Sequence, residues 1–166
     1  MARTSEELIG PTGVQSNPKV KLSKRQSSLK GKKVSVLGIS FKPDSDDVRE
    51  SVPIHLARSL IKEGALVCVY DPAAMENARK FLGNSVRFAT TAEDCLKESE
   101  CCFIATGWGE FRRLRPSDFK TLMATPVVVD GRRIYDPLAF RKGGVLISTI
   151  GTGPSGRAES RSTSMS

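Results

Sequence analysis

Apolar runs rich in β-branched residues alternate with amphipathic stretches through the middle of the chain. The runs have the length and composition of buried strands and are KKVSVLG, ALVCVY, residues 86–88, CCFIAT, PVVVD and GVLIST. The stretches between them have helical spacing and lie in SVPIHLARSLIKEG, AMENARKFLG, residues 92–98 and residues 116–123. Strands that alternate with helices of this length form βαβ units. The pattern therefore predicts an α/β domain of three layers, with a mostly parallel sheet covered on both faces.

The first predicted helix has the clearest boundary signals. Ser51 is a suitable N-cap, and Pro53 falls in the first turn, where a missing amide hydrogen removes no helical bond. Gly64 follows the last apolar position and is typical of a helix stop. These signals predict a helix between residues 51 and 64.

In a Rossmann-like sheet of this kind, ligands bind at the carboxyl ends of the strands. The loops at that edge follow Leu37, Tyr70, Ala105 and Val129. The first loop lies in VLGISFKPDSDDVRES and lacks the G-x-G-x-x-G fingerprint of a dinucleotide site, because Gly38 is its only glycine. Asp71 lies 33 residues after Gly38, whereas the ribose-binding acid is expected after about 20. We therefore predict that this domain does not hold NAD in the standard way.

The acidic cluster DSDD in the same loop raises the alternative of a calcium site. If Asp44 took the first EF-hand position, Arg49 would replace the required glycine and His55 the chelating glutamate. The cluster therefore does not predict a metal site. We expect at least two of its acids, Asp44, Asp46 and Asp47, to make hydrogen bonds that shape the turn.

Cations at the same edge of the sheet suggest a phosphate-bearing ligand. Lys42 and Arg49 lie in the first loop, where a cation can bind the phosphate that glycine amides would otherwise contact. Arg132 and Arg133 follow the strand PVVVD at the same edge. One arginine of a consecutive pair usually points into solvent, so we expect one of the two to complete an anion site with Lys42. The alternative, that all four are solvated, remains open at this point.

The net charge of +8 comes mostly from the ends of the chain, because residues 1–30 and 151–166 together contribute five of those eight charges. Residues 1–29 are basic and polar, and residues 152–166 are rich in Gly, Ser and Arg, so we predict flexible segments, with a short helix within 20–29. Neither segment has interleaved aromatic residues or a nucleic-acid-binding motif. We therefore expect solvated flanks, with nonspecific nucleic-acid association through these basic segments as the lowest-ranked alternative.

The remaining composition favours a soluble, cytoplasmic protein with reduced thiols. No apolar run approaches the ~20 residues that cross a bilayer. The four cysteines form no C-x-x-C pair, and three of them lie in or beside predicted strands. This pattern favours buried thiols over a disulfide framework or a zinc site.

Several motifs together resemble one known family. They are VLGISFKPDSDDVRES, VYDPAAMENAR, TGWGEFRRL and PVVVDGRRIYDP. In this order and spacing, residues 30–151 resemble the C-terminal, nucleotide-sugar-binding domain of the UDP-glucose and GDP-mannose dehydrogenase family, especially its bacterial UDP-glucose 6-dehydrogenases. Such enzymes oxidise the sugar C6 alcohol to a carboxylate in two NAD-dependent steps through a cysteine thioester, while this domain closes over the active site and grips the nucleotide.

The resemblance implies roles for individual residues. Phe41 and Lys42 would contact the UDP-sugar, with Lys42 near the nucleotide phosphates, and Arg132 would contact the same substrate. Arg49 would reach NAD held mainly by another domain. The chain departs from the family pattern at Val52, Gly107 and Gly109, and we expect the two glycines to loosen the loop around Trp108.

The sequence contains neither a G-x-G-x-x-G domain nor the central domain that carries the catalytic cysteine in this family. We therefore assign no catalytic residue and expect the substrate-binding domain of an enzyme that oxidises UDP-glucose to UDP-glucuronate. Activity would require an N-terminal dehydrogenase polypeptide with NAD. The alternative is a stand-alone, non-catalytic nucleotide-sugar-binding or interaction module. The sugar, the base and the oligomeric state remain open.

Overall fold

A computed structural model of the chain describes residues 28–49 and 51–150. The predicted flexible segments 1–29 and 152–166 and the predicted helix within 20–29 lie outside these residues, except for Ser28 and Leu29. The Leu29 side chain is buried in the core, so the domain includes this position.

The described residues contain six strands and six helices. The strands are β1 (Lys33–Leu37), β2 (Leu66–Tyr70), β3 (Arg87–Phe88), β4 (Cys101–Ile104), β5 (Val127–Asp130) and β6 (Leu146–Thr149). The helices are α1 (Val52–Lys62), α2 (Met75–Leu82), α3 (Ala92–Leu96), α4 (Gly109–Arg112), α5 (Pro116–Leu122) and α6 (Pro137–Lys142).

The six strands form one sheet in the order β3-β2-β1-β4-β5-β6, and every neighbouring pair is parallel. This is the strand order of doubly wound dinucleotide-binding domains. The predicted Rossmann-like class is therefore confirmed. Because β1 lies between β2 and β4, the loop after β1 is flanked by the loops after its two neighbours.

Each face of the sheet has its own apolar core, as expected for three layers. Val36 and Val69 on one face pack in a cluster with Leu60 of α1. Ile104 on the other face packs in a cluster with Phe119 of α5. The strands are therefore apolar on both sides, which explains why they appear in the sequence as nearly continuous hydrophobic runs.

The boundary signals of the first helix act as predicted. The Ser51 hydroxyl accepts a hydrogen bond from the amide of Ile54 at 3.2 Å, and Pro53 lies in the first turn. Gly64 follows the helix with φ +90, a conformation that side-chain-bearing residues rarely adopt. The predicted helix over 92–98 is shorter in the structure and ends at Leu96. Glu98 has φ +60, which is incompatible with a right-handed helix.

Two short helices were not predicted. Helix α4 has four residues and α6 has six, so each spans less than two turns and gives only a weak helical pattern in the sequence. A local signal did mark α6. Asp136 accepts a hydrogen bond from the amide of Leu138 at 3.1 Å, and Pro137 occupies the first turn, which together make a normal helix start.

Candidate functional site

Gly38 allows the loop after β1 to lie directly against the loop after β4. Its φ is +100, and a Cβ built there would lie 2.5 Å from Cβ of Thr106. The Thr106 hydroxyl also donates a hydrogen bond to the carbonyl oxygen of Ser40 at 2.9 Å. The single glycine of this loop therefore serves close packing between two loops of the protein, which differs from the close approach to a pyrophosphate in dinucleotide sites.

The carboxylate of Asp71, at the end of β2, organises the same edge. The side chain is buried, and Oδ2 accepts hydrogen bonds from the amides of Ile39 at 2.7 Å and Ser40 at 2.9 Å. Oδ1 accepts from the amides of Ala73 and Ala74, each at 2.9 Å. A buried carboxylate is stable only when its oxygens are satisfied in this way. Asp71 is thus fixed as an anchor for the loop after β1.

Trp108, in the loop after β4, completes this anchor. Its indole Nε1 lies 3.2 Å from both Oδ2 of Asp71 and Oγ of Ser40 and donates to both. The Ser40 hydroxyl donates in turn to the carbonyl oxygen of Lys42 at 3.0 Å. Trp108 is therefore tied through its ring nitrogen, although the flanking Gly107 and Gly109 add backbone freedom.

A second buried carboxylate, Asp130, holds the loop after β5. Its oxygens accept hydrogen bonds from the amides of Arg132 and Tyr135, each at 3.0 Å. The Arg132 side chain is exposed, and Arg133 adopts φ +55. A Cβ at Gly107 would lie 3.7 Å from Cβ of Arg132. The Trp108 loop therefore lies beside the base of Arg132 on one side and is hydrogen-bonded to Ser40 on the other.

These anchors were missed by sequence reasoning, which tested Asp71 only as a ribose ligand. A signal was present, since Asp71 and Asp130 each follow directly on a run of apolar strand residues, in VYDP and VVVDG. A carboxylate at the end of a buried strand requires several local hydrogen-bond donors. The adjoining loops supply them.

The acidic turn after Lys42 is shaped largely by its own hydrogen bonds, as predicted. Asp47 accepts from the amide of Arg49 at 3.0 Å, and its carbonyl oxygen accepts from the amide of Phe41 at 2.7 Å. The Asp46 carbonyl oxygen accepts from the Asn77 amide group on α2 at 2.9 Å. Asp44 has φ +63, a conformation in which Asp is enriched.

Arg49 forms a two-point ion pair with Asp47. Its Nε lies 3.0 Å from Oδ1 and its Nη2 lies 3.1 Å from Oδ2. Hydrogen bonding to the guanidinium lowers the pKa of Asp47 to about 2, and the same bonds raise the pKa of Arg49. The Arg49 side chain is 79% exposed, so Asp47 orients a guanidinium that remains open to solvent.

An open groove of about 610 Å³ lies beside this turn and is lined by Phe41, Asp47, Arg49 and Phe81. The Phe41 ring is 60% exposed. The structure thus brings two predicted site residues, Phe41 and Arg49, to one groove. Lys42 and Arg132 are exposed at the same edge of the sheet, Lys42 next to Phe41 in the chain and Arg132 beyond the Trp108 loop. Neither residue lines the groove.

The cysteines lie where they were predicted, three in strands and Cys95 in α3. Burial raises the pKa of Cys101 to about 12 and that of Cys102 well above its ordinary value. Within the described part of the chain, no group of three or more His, Cys, Asp or Glu side chains is arranged to hold a metal ion. The same residues contain no helix that is long and apolar enough to span a membrane.

A family model described as the UDP-binding domain of the UDP-glucose/GDP-mannose dehydrogenase family matches residues 35–137. The chain belongs to this dehydrogenase family. The match includes all four predicted site residues and both carboxylate anchors, so the loops described above are part of the family's UDP-binding domain. The resemblance noted in the sequence motifs is confirmed.

Individual members of the dehydrogenase family show the same relationship. UDP-glucose 6-dehydrogenase TuaD of Bacillus subtilis is 34% identical over 131 residues, which are 79% of this chain and 28% of that protein. UDP-glucose 6-dehydrogenase of Rhizobium meliloti is 39% identical over 74% of this chain. A solved UDP-glucose dehydrogenase from the archaeon Pyrobaculum islandicum superimposes with a TM-score of 0.66 at 38% identity, over 78% of this chain and 28% of that one.

The chain thus spans little more than a quarter of the length of these dehydrogenases. It corresponds to a single domain of the larger enzymes.

Proposed function

We propose that this domain binds the nucleotide end of a UDP-sugar at the carboxyl edge of its sheet, through Phe41, Lys42 and Arg132. The observation that carries the proposal is that buried carboxylates hold the loops after β1, β4 and β5 by hydrogen bonds. The loops after β1 and β5 carry the three exposed side chains. Loops held in this way lose little conformational entropy when a ligand binds. Membership in the family of UDP-binding domains supports the same assignment.

The two cations match the charge of a nucleoside diphosphate. Lys42 follows the anchored Ser40 by two residues, and the Ser40 hydroxyl fixes the carbonyl oxygen of Lys42 itself. Arg132 has its amide fixed by Asp130. An ammonium group and a guanidinium on fixed backbone can each bind phosphate oxygens through charged hydrogen bonds. The exposed Phe41 ring offers an apolar surface beside them for another part of the same ligand.

Arg49 is proposed to contact NAD that is bound mainly by another domain. The loop after β1 is unsuited to hold NAD on its own, because Gly38 is packed against Thr106. A solvent-exposed guanidinium that Asp47 orients is suited to a phosphate presented from outside the domain. NAD, when bound, would accept the hydride from the sugar C6 carbon. The role of this chain would be to position the substrate and the cofactor phosphate.

The chain covers only 28% of the length of each of these relatives, so the complete reaction would draw on groups outside the matched region. We propose that this chain works with a dehydrogenase polypeptide that supplies an NAD-binding domain and a nucleophilic cysteine, and that together they oxidise UDP-glucose to UDP-glucuronate in the cytoplasm. The buried thiols of Cys101 and Cys102 do not suit the nucleophile, since burial keeps them protonated.

Calorimetry with the isolated chain tests the binding proposal. UDP and UDP-glucose are titrated into a sample whose folded state is verified by circular dichroism, with GDP-mannose as the comparison ligand. We expect weak binding of both uridine ligands, with a dissociation constant in the millimolar range or below. A folded sample that binds neither ligand at millimolar concentration would contradict the proposal.

A second assay separates the enzyme hypothesis from the stand-alone binding module. The chain is mixed with a polypeptide that carries the N-terminal and central domains of a UDP-glucose dehydrogenase, and NADH absorbance is followed with UDP-glucose and NAD. NADH formation that depends on both polypeptides supports a split enzyme. UDP binding without NADH formation favours the module.

A further inference from the structure

Three small side chains form a row across the sheet beneath helix α3. Ser35 of β1 is in register with Cys68 of β2 on one side and with Cys102 of β4 on the other. Cys95 of α3 lies above this row, and the Ser35 hydroxyl donates a hydrogen bond to its carbonyl oxygen at 2.6 Å. The row therefore brings cysteines from β2 and α3 together, although 27 residues separate Cys68 from Cys95.

Cys68 differs from the other three cysteines because it is only half-buried and has a cation beside its sulfur. Nη1 of Arg87 lies 3.4 Å from the Cys68 Sγ. The Arg87 guanidinium is held there by Asp94, whose Oδ1 lies 2.8 Å from Nη2. A guanidinium next to a sulfur stabilises the thiolate, which is the reactive form of cysteine.

Cys95 supplies a second thiol next to Cys68. Its Sγ lies 3.4 Å from the carbonyl oxygen of Cys68, and the Cys95 side chain is buried. A hydrogen bond from the Cys95 thiol is the largest cause that lowers the pKa of Cys68, and Arg87 lowers it further, while burial and Asp94 oppose them. Burial raises the pKa of Cys95, so this thiol keeps its proton.

We propose that Cys68 is an oxidation-sensitive thiol and that Cys95 resolves its oxidised form as a Cys68–Cys95 disulfide. The oxidant is a hydroperoxide, which reaches Cys68 from the solvent side where Arg87 lies. Cys101 and Cys102 are buried, and among residues 28–49 and 51–150 neither sulfur has a guanidinium within hydrogen-bond distance. They are therefore expected to stay reduced under the same conditions.

The chemistry proceeds in two balanced steps. In the first, the Cys68 thiolate attacks one peroxide oxygen, so that an S–O bond forms as the O–O bond breaks. The sulfur is oxidised to a sulfenic acid, and the peroxide is reduced to water or an alcohol after taking up a proton. In the second, the Cys95 sulfur attacks the Cys68 sulfur, the S–S bond forms, the S–O bond breaks, and hydroxide leaves as water with the Cys95 proton.

The test treats the reduced, full chain with hydrogen peroxide, quenches with acid, alkylates the remaining thiols and maps the peptides by mass spectrometry. We expect the peptides with Cys68 and Cys95 to be linked and lighter by two hydrogen atoms, while Cys101 and Cys102 are alkylated. Cys101→Ser, a matched control, should form the same link. A Cys101–Cys102 link, or equal oxidation of all four cysteines, would overturn the proposal.

Two further variants test the roles of the partners. Cys95→Ser should leave a sulfenic acid at Cys68, which a cyclic 1,3-dione traps as a stable adduct. Arg87→Gln should slow the alkylation of Cys68 by iodoacetamide in the reduced protein several-fold, about 3- to 10-fold, without changing that of Cys101. The alkylation rates of Cys68 and Cys101 are also compared in the unaltered chain, so the test remains decisive even if a variant fails to fold. Alkylation of Cys68 no faster than that of Cys101 in the native protein refutes the assignment.

Discussion

The indole nitrogen of Trp108 lies 3.2 Å from Oδ2 of Asp71, although the two residues are 37 positions apart in the chain. This hydrogen bond joins the loops after β2 and β4 above the end of β1. The loop that carries Phe41 and Lys42 therefore lies between two anchored neighbours, and the position of its cations depends on a carboxylate that need not touch a ligand itself.

Replacing Asp71 by Asn should destabilise the domain and weaken UDP binding. The carboxylate accepts five hydrogen bonds, and an amide of the same shape presents an NH2 group to some of those donors. We expect the free energy of unfolding to fall by about 2–4 kcal/mol in urea titrations. Asp46→Asn, an exposed acid of the neighbouring turn, serves as the control and should change stability by less than about 0.5 kcal/mol.

Gly38 should tolerate no side chain. Ala at this position would place Cβ 2.5 Å from Cβ of Thr106 and would require φ +100. We expect Gly38→Ala to lower the free energy of unfolding by roughly 3 kcal/mol or more. Gly31→Ala is the matched control, because Gly31 also has a positive φ, +76, but nothing within 4 Å of the added Cβ. Its cost should be about 1 kcal/mol, and equal effects of the two variants would contradict the packing argument.

The Asp47–Arg49 pair predicts an unusual titration. The hydrogen bonds from Arg49 lower the pKa of Asp47 to about 2 from its ordinary value of 3.8. A depressed pKa means that the pair stabilises the turn above about pH 4 and loses this effect as the pH falls towards 2. Carbon-detected NMR of the Asp47 carboxyl should give the low midpoint, and Arg49→Gln should return it to the ordinary range. The pKa of Glu98, lowered by its hydrogen bond with Lys33, provides the internal reference and should not change in that variant.

Lys42→Ala should lose UDP affinity while keeping the fold. The side chain is exposed, so its removal leaves the core intact, and the lost charged hydrogen bond to phosphate should raise the dissociation constant about tenfold. Lys62→Ala is the matched control, since this lysine is also exposed but lies in the last turn of α1, at the far end of that helix from the site. Calorimetric titration of UDP into each variant measures the two dissociation constants. An affinity loss of the same size in both would indicate a nonspecific charge effect.

The sequence by itself determined the order and type of the main elements, because hydrophobic periodicity is a local property that survives in every segment of sufficient length. That order predicted the parallel sheet, its carboxyl edge and the loops that could bind a ligand. The motifs in those loops indicated the family. The same local logic identified Ser51 and Pro53 as the start of α1. It failed for α4 and α6, each of which spans less than two turns, although it found the five-residue α3.

The tertiary structure decided what the individual side chains do at that edge. Asp71 became an anchor, Gly38 a packing position and Cys68 a neighbour of Arg87 only when strands distant in sequence were set side by side. Ser40 and Trp108, for example, are 68 residues apart and share a hydrogen bond. Contacts of this kind depend on strand order and register, which fix distances between residues that no periodicity relates.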